Sequence, residues 1–402
     1  MTRKIKIALL LTLTAAATQA ASQKFDFTKP VPEYSDALGY GFEPAYAPDA
    51  AKPFYFSIKV PEEGNYKVTV TLGDPGHEST TTVKAELRRL MLEQIHAGPG
   101  AYETRSFLVN VRTPRISDGV EVRLKPREKT SEAWAWDNRL TLGFTGDRPA
   151  LRSLEIEKAD GAIPTLYIAG DSTSTDQGSE PFNSWGQMIT RFFKAEIAVA
   201  NNGESGESLN SFLSANRLRK IMSTIKSGDF LMIQMGHNDQ KEKGEGVGAF
   251  TTYKSNLKRF IGEARQHGAT PILITPVNRL AWGADGKITN SLGDFPEAVR
   301  QTAQEEKVAL LDLNAMSKPF YEAMGPANAP QAFAGKDTTH HSDYGSYELA
   351  KCMVEAIRQN QPQLAKYLLD GLPRFDPARP DPFVGFTIPP DPIIASQRPY
   401  GN

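Results

Sequence analysis

Two short segments far apart in the chain carry the residue types of nucleophilic acyl transfer. Ser172 lies in Gly170-Asp171-Ser172-Thr173-Ser174, directly after the apolar run Leu166-Tyr167-Ile168-Ala169. A serine hydroxyl is a poor nucleophile until a neighbouring base takes its proton during attack. Asp337-Thr338-Thr339-His340 supplies such a base. Its three-residue spacing lets one loop present both side chains, His340 to accept the serine proton and Asp337 to hold the other ring nitrogen. Of the six histidines, His77 and His96 fall in a strand-rich region and His267 closes a helix before Gly268. His341 is the nearest rival to His340. Taken singly, Gly-Asp-Ser also suits an ordinary turn, and His340 a capping or surface position.

Two further segments offer hydrogen-bond donors to a developing oxyanion. Asn201-Asn202-Gly203-Glu204-Ser205-Gly206-Glu207-Ser208 contains glycines that allow backbone N–H groups close to a substrate oxygen. Gly236-His237-Asn238-Asp239 contributes the Asn238 side-chain amide. Either segment equally suits a helix-capping loop.

The elements around these segments must bring them together. From Thr165 onward, apolar strands at residues 166–170, 196–200, 230–235, 271–276 and 309–313 alternate with helical patterns at 185–193, 209–225, 252–267, 296–306 and 345–358. This alternation predicts an α/β fold, a parallel sheet covered by helices on both faces, with active sites outside the carboxyl ends of the strands. The four polar segments fall at those ends or just before the last helix. The region before it reads as short alternating strands at 54–60, 66–72, 81–92, 102–111, 120–124, 139–144 and 151–157. That pattern predicts an all-β sandwich.

In this order, Ser, Gly, Asn and then Asp with His, the segments resemble the signature blocks of the SGNH (GDSL-type) hydrolases over about residues 164–361. The resemblance implies a three-layer α/β/α fold with no cofactor. It makes Ser172, Asp337 and His340 the catalytic triad, and the Ser172 and Gly206 N–H groups with the Asn238 amide the oxyanion hole. Gly170-Asp171-Ser172-Thr173, Gly236-His237-Asn238-Asp239 and Asp337-x-Thr339-His340 look most like the rhamnogalacturonan acetylesterases. The similarity implies a carbohydrate O-acetylesterase acting on plant cell-wall polysaccharide, with pectin or rhamnogalacturonan as the substrate class. That family usually carries Gly-Arg-Ser where this chain has Gly206-Glu207-Ser208, so Glu207 is expected to face substrate and to disfavour a uronate. Trp185 is the candidate for stacking on a sugar ring, although an aromatic opening a helix also suits the core. Trp134 and Trp136, if extended, would share one face, as a glycan platform or an interdomain contact. An acetyl-xylan or other acyl esterase, or a non-catalytic glycan-binding surface protein, are the competing readings.

Composition narrows the partners. The 402 residues are comfortable for two domains, and 46 Lys plus Arg against 47 Asp plus Glu leave no overall field for nucleic acid. Arg3, Lys4 and Lys6 precede an apolar run over residues 7–17 and small residues near Ala20. This is the pattern of a signal peptide, and the run is shorter than the roughly 20 residues that span a bilayer. A secreted or periplasmic location is therefore expected, with no membrane span. No cluster has metal-ligand spacing. The single cysteine, Cys352, excludes an internal disulfide and suits a helix core. The expected organisation is a signal peptide (1–21), a β-sandwich domain (22–160), a catalytic domain (161–370) and a proline-rich tail (371–402) packed as a strap.

Overall fold

A computed structural model describes residues 22–44, 52–117 and 119–391. The expected signal peptide and the end of the tail, with Ile393 and Ile394, lie outside the described residues.

The first nine strands are β1 (Gln23–Asp26), β2 (Tyr40–Phe42), β3 (Phe54–Lys59), β4 (Gly64–Leu72), β5 (Ser79–Ala85), β6 (Arg89–Ala97), β7 (Glu103–Val111), β8 (Arg139–Asp147) and β9 (Leu151–Lys158). They form two antiparallel sheets, in the orders β1-β9-β4-β7 and β2-β3-β8-β5-β6. Along β4 the side chains alternate, with Tyr66, Val68, Val70 and Leu72 buried and the intervening residues partly exposed. These four meet Phe56, Ile58, Leu140, Leu142 and Phe144 of the facing sheet in one core. The expected sandwich is present.

The second half is a five-stranded parallel sheet in the order β11-β10-β12-β13-β14, built from β10 (Thr165–Gly170), β11 (Ala198–Asn201), β12 (Phe230–Gln234), β13 (Thr270–Ile274) and β14 (Ala309–Leu311). Successive residues point to opposite faces of a strand. Thus Phe230 and Met232 enter one core and Leu231 and Ile233 another, which is why the strand reads as an unbroken apolar run. The helices are α1 (Trp185–Met188), α2 (Leu209–Ser214), α3 (Arg217–Met222), α4 (Lys254–Gln266), α5 (Phe295–Glu306), α6 (Leu313–Asn328), α7 (Asp343–Asn360) and α8 (Pro362–Ala365). The cluster around α4 and α5 covers one face and that around α7 the other. No helix among the described residues is long and apolar enough to cross a membrane.

Several expectations are corrected. The run at 81–92 is a hairpin, β5 and β6, turned at Glu86 and Arg88 with φ of 55° and 63°. No glycine marks this turn; instead Arg88 is held by Asp391, Glu180 and the Phe182 carbonyl. Residues 120–124 form only an isolated bridge between Arg115 and Glu121. The helix expected over 209–225 is two helices, broken where Asn216 takes φ 62°. Helix α6 was not expected because Pro319, Gly325 and Pro326 interrupt its pattern; Asp312 caps it by accepting the Ala315 N–H.

The tail packs as a strap through residue 391. Phe383 and Phe386 lie against Tyr344, and Phe386 also against Tyr347, both tyrosines on α7. Ile388 is buried, and Asp391 enters the β sandwich, accepting from Tyr55 and pairing with Lys84 and Arg88.

Candidate active site

The turn after β10 presents Ser172. Asp171 Oδ1 accepts the N–H and hydroxyl of Thr173, and its carbonyl accepts the N–H groups of Ser174 and Thr175. The loop closes so tightly that a Cβ on Gly170 would lie 1.9 Å from Ser174 Oγ. A side chain at this position would have to displace the Ser174 hydroxyl. The loop before α7 supplies the second half. Asp337 Oδ1 accepts the backbone N–H groups of Thr339 and His340 at 2.7 and 3.0 Å, which turns the chain back on itself. Its other oxygen, Oδ2, lies 3.0 Å from His340 Nδ1, and His340 Nε2 lies 2.8 Å from Ser172 Oγ. The structure therefore brings the three expected triad residues into one hydrogen-bonded line. Ser172 is 3% exposed and His340 1%. Burial alone would raise the Asp337 carboxyl, but hydrogen bonds and charge from His340 hold it well below the usual carboxylate range. It is thus an anion able to stabilise an imidazolium. The ring of Phe182 stands edge-on to His340.

The loops after β11 and β12 form the neighbouring wall. Gly206 has φ 81°, a left-handed conformation that L side chains resist. Asn238 donates one amide N–H to the Glu207 carbonyl at 3.0 Å, tying the two loops together. A primary amide has two N–H donors, so this bond leaves one for a second acceptor. Gln177 Nε2 donates to the Ser172 carbonyl at 2.7 Å.

The two candidate substrate contacts are corrected. Trp185 is 0% exposed, lies in the core against the sheet and donates its indole N–H to Gln234 Oε1 at 2.7 Å. With no free face it cannot stack on a sugar. Glu207 is buried between two cations, with Lys125 Nζ of the β7–β8 connection 2.6 Å and Arg217 Nε of α3 3.6 Å from Oε1. Its charge is already matched, so it gives no reason to exclude a uronate. Trp134 lies within a 3-10 turn, Ala133–Ala135, and Trp136 directly follows it, so the stretch is not an extended strand. Trp136 is buried, donates to Glu128 and carries Arg112 over its ring, and Arg217 of α3 also lies over that ring at 5.8 Å, which makes it part of the interdomain contact. His341, the rival base, sits against Tyr321 and Phe333, and burial pushes its imidazole down to about 3.

Two further neighbours support the site. His237 faces Asp171 Oδ2 at 3.2 Å and the Val277 carbonyl at 3.0 Å, behind the serine turn. Arg279 reaches Thr339 Oγ1 and the His237 carbonyl, bridging the His340 loop to the Asn238 loop. A Gly-His-Asn triplet hints at the first; the second lies in a loop without a motif.

The GDSL-like Lipase/Acylhydrolase family matches residues 168–347. The rhamnogalacturonan acetylesterase RhgT of Bacillus subtilis (strain 168) is 35% identical over 209 residues, 48% of this chain and 89% of that protein. The chain belongs to the GDSL-like lipase/acylhydrolase family. It is an ester hydrolase of the SGNH type. A second relative from the same organism, the uncharacterized esterase YxiM, is 28% identical over 318 residues, 76% of this chain and 74% of its own. The crystal structure of YxiM aligns over 84% of this chain and 98% of that one, at 24% identity and a TM-score of 0.49.

One acid of this GDSL-type site is out of the ordinary. Asp239 Oδ1 accepts the Leu209 N–H, while Oδ2 is buried with no hydrogen-bond partner among the described residues. Burial pushes this carboxyl up to about 8. The folded protein then holds a proton that an unfolded aspartate, ionising near 3.9, gives up. Between those two values the native state binds more protons, so stability falls as pH rises. Asp239→Asn is expected to match wild type in melting temperature near pH 4 and to exceed it increasingly toward pH 8. A melting difference independent of pH over that window would refute the assignment.

Proposed function

We propose that this chain is a carbohydrate O-acetylesterase acting outside the cytoplasm on acetylated pectic polysaccharide of the rhamnogalacturonan class. The observation that carries the reading is the line Ser172 Oγ, His340 Nε2, His340 Nδ1, Asp337 Oδ2, with separations of 2.8 and 3.0 Å. Ser172 attacks the acetyl carbonyl as His340 takes the hydroxyl proton. The tetrahedral oxyanion is held by the N–H groups of Ser172 and Gly206 and by the Asn238 amide. His340 then protonates the departing sugar oxygen, leaving an acetyl ester on Ser172. Water attacks that ester by the reverse path, with His340 again as base, and acetate leaves. No cofactor enters these steps.

The substrate class is supported by two relatives named as rhamnogalacturonan acetylesterase or probable rhamnogalacturonan acetylesterase, 35% and 37% identical over about half the chain. The charge balance around Glu207 is compatible with a uronate-containing polymer. The basic and then apolar start of the sequence supports export.

The test is acetate release from acetylated rhamnogalacturonan, acetylated homogalacturonan and acetylated xylan at equal acetyl content. Release from the rhamnogalacturonan polymer at the highest kcat/KM is expected. Preference for xylan would replace the substrate class, and glycan binding without acetate from any ester would overturn the enzymatic reading.

A further inference from the structure

The loop that holds Gly206 is gripped from the β sandwich. An arm between β7 and β8 reaches it with two cations. Lys125 Nζ donates to the Ser205 carbonyl at 2.5 Å, and Arg127 Nη2 donates to the same oxygen at 3.1 Å. Lys125 also pairs with Glu207 and Arg127 with Glu204, so both residues that flank the Ser205-Gly206 pair are held as well.

The carbonyl of Ser205 and the N–H of Gly206 belong to the same peptide unit. That unit is planar and trans, so its oxygen and its hydrogen point in opposite directions. Fixing the oxygen on two cations therefore fixes the aim of the N–H on the far side. Donors at the carbonyl oxygen also polarise the amide, and such coupling strengthens the opposite hydrogen bond by about 10–30% per bond.

The arm is stiff enough to act this way. Glu128 is buried and accepts from the Lys125 backbone N–H, from Trp136 Nε1 and from both terminal nitrogens of Arg217, itself fully buried. The Arg217–Glu128 pair already joins the two layers. Lys125 and Arg127 keep 25% and 22% of their side chains exposed, so they are not core pillars.

We propose that Lys125 and Arg127 are positioning residues for acyl transfer, which hold the Ser205 carbonyl so that the Gly206 N–H is aimed and polarised toward the oxyanion. The β sandwich is then part of the catalytic device. This rests on the assignment of Gly206 to the oxyanion hole.

The test uses the full chain and an acetyl ester, with kcat, KM, melting temperature and the affinity of a boronic acid. The boronic acid adds to the serine and places a negative tetrahedral oxygen in the hole. Removing a whole oxyanion donor typically costs about 10²–10³ in kcat. Lys125→Met/Arg127→Met keeps the donor but loses its aim, so kcat is expected to fall about tenfold to a hundredfold, with KM within about twofold and boronic acid affinity falling in parallel. Lys125→Arg should restore most of the loss in the single Lys125→Met variant. Lys125→Met/Glu207→Gln removes the charge imbalance and should remain impaired. If the methionine variants fail to fold, Lys125→Gln and Arg127→Gln carry the same expectation.

Unchanged kcat in these variants, alongside a fall in Asn238→Ala, overturns the proposal and leaves the oxyanion hole standing. Unchanged kcat in all of them, Asn238→Ala included, overturns the hole as well. A fall in kcat with boronic acid affinity intact shows that the arm acts elsewhere and also overturns it.

Discussion

Ser172→Ala is expected to lower turnover of an acetyl ester by about six orders of magnitude, the loss typical when a hydrolase triad loses its nucleophile. The reason is chemical rather than structural. Ser172 Oγ lies 2.8 Å from the His340 ring nitrogen, and an alanine leaves no atom to form the acyl-enzyme. Oxyanion donors and substrate binding remain, and they account for a residual rate about 10³–10⁴ above water. The fold should be untouched, because the turn is built by Asp171, Thr173, Ser174 and Gln177 around the backbone. Burst kinetics and the melting temperature check both halves. A variant that still turns over within about tenfold of wild type would remove Ser172 from the mechanism.

The second large effect is expected at Asp337. Asp337→Asn should cost about 10⁴ in kcat with little change in stability. One carboxylate oxygen accepts two backbone N–H groups, so the asparagine carbonyl must take that place. Its NH2 then faces His340 Nδ1, which has to accept. The ring proton moves to Nε2, and the nitrogen facing Ser172 can no longer take the hydroxyl proton. Asp337→Ala loses the turn as well and should lower the melting temperature, so the pair separates chemistry from scaffolding. Equal kcat for Asp337→Asn and wild type would show that this carboxylate does not set the tautomer.

Much of this arrangement was readable from residue patterns, and the remainder was hidden for definable reasons. Parallel strands buried on both faces are written as unbroken apolar runs, and their ends place the polar loops, so β10 and β12 announce where Ser172 and Asn238 stand. The turn at Glu86 and Arg88 was hidden because its support comes from Glu180 and Asp391, remote in sequence. The same holds for Glu207. Beside an oxyanion glycine it looks like a substrate contact, and only the position of Lys125, on another sheet's connection, reveals a structural charge. Trp185 was ambiguous because a tryptophan after a loop is equally suited to a cleft or a core, and the deciding partner, Gln234, lies on β12. Pattern shows which face a residue takes; it does not show which neighbour waits there.

The pairing of Lys84 with Asp391 spans 307 residues. Translation runs from the first residue to the last, and domains fold as they emerge. A nascent sandwich must therefore wait without the Pro389 carbonyl and the Asp391 carboxylate that hold the Lys84 ammonium. Removing one partner of a buried ion pair is destabilising, so the first domain should reach its full resistance to unfolding only when the strap docks. Stalled chains released from the ribosome before residue 389 should then be digested far faster in their β layers than full-length protein, a difference that limited proteolysis of both products would reveal. Equal protection would show that the early domain matures alone. The strap would act as a checkpoint on synthesis through residue 391, marking shorter copies for degradation.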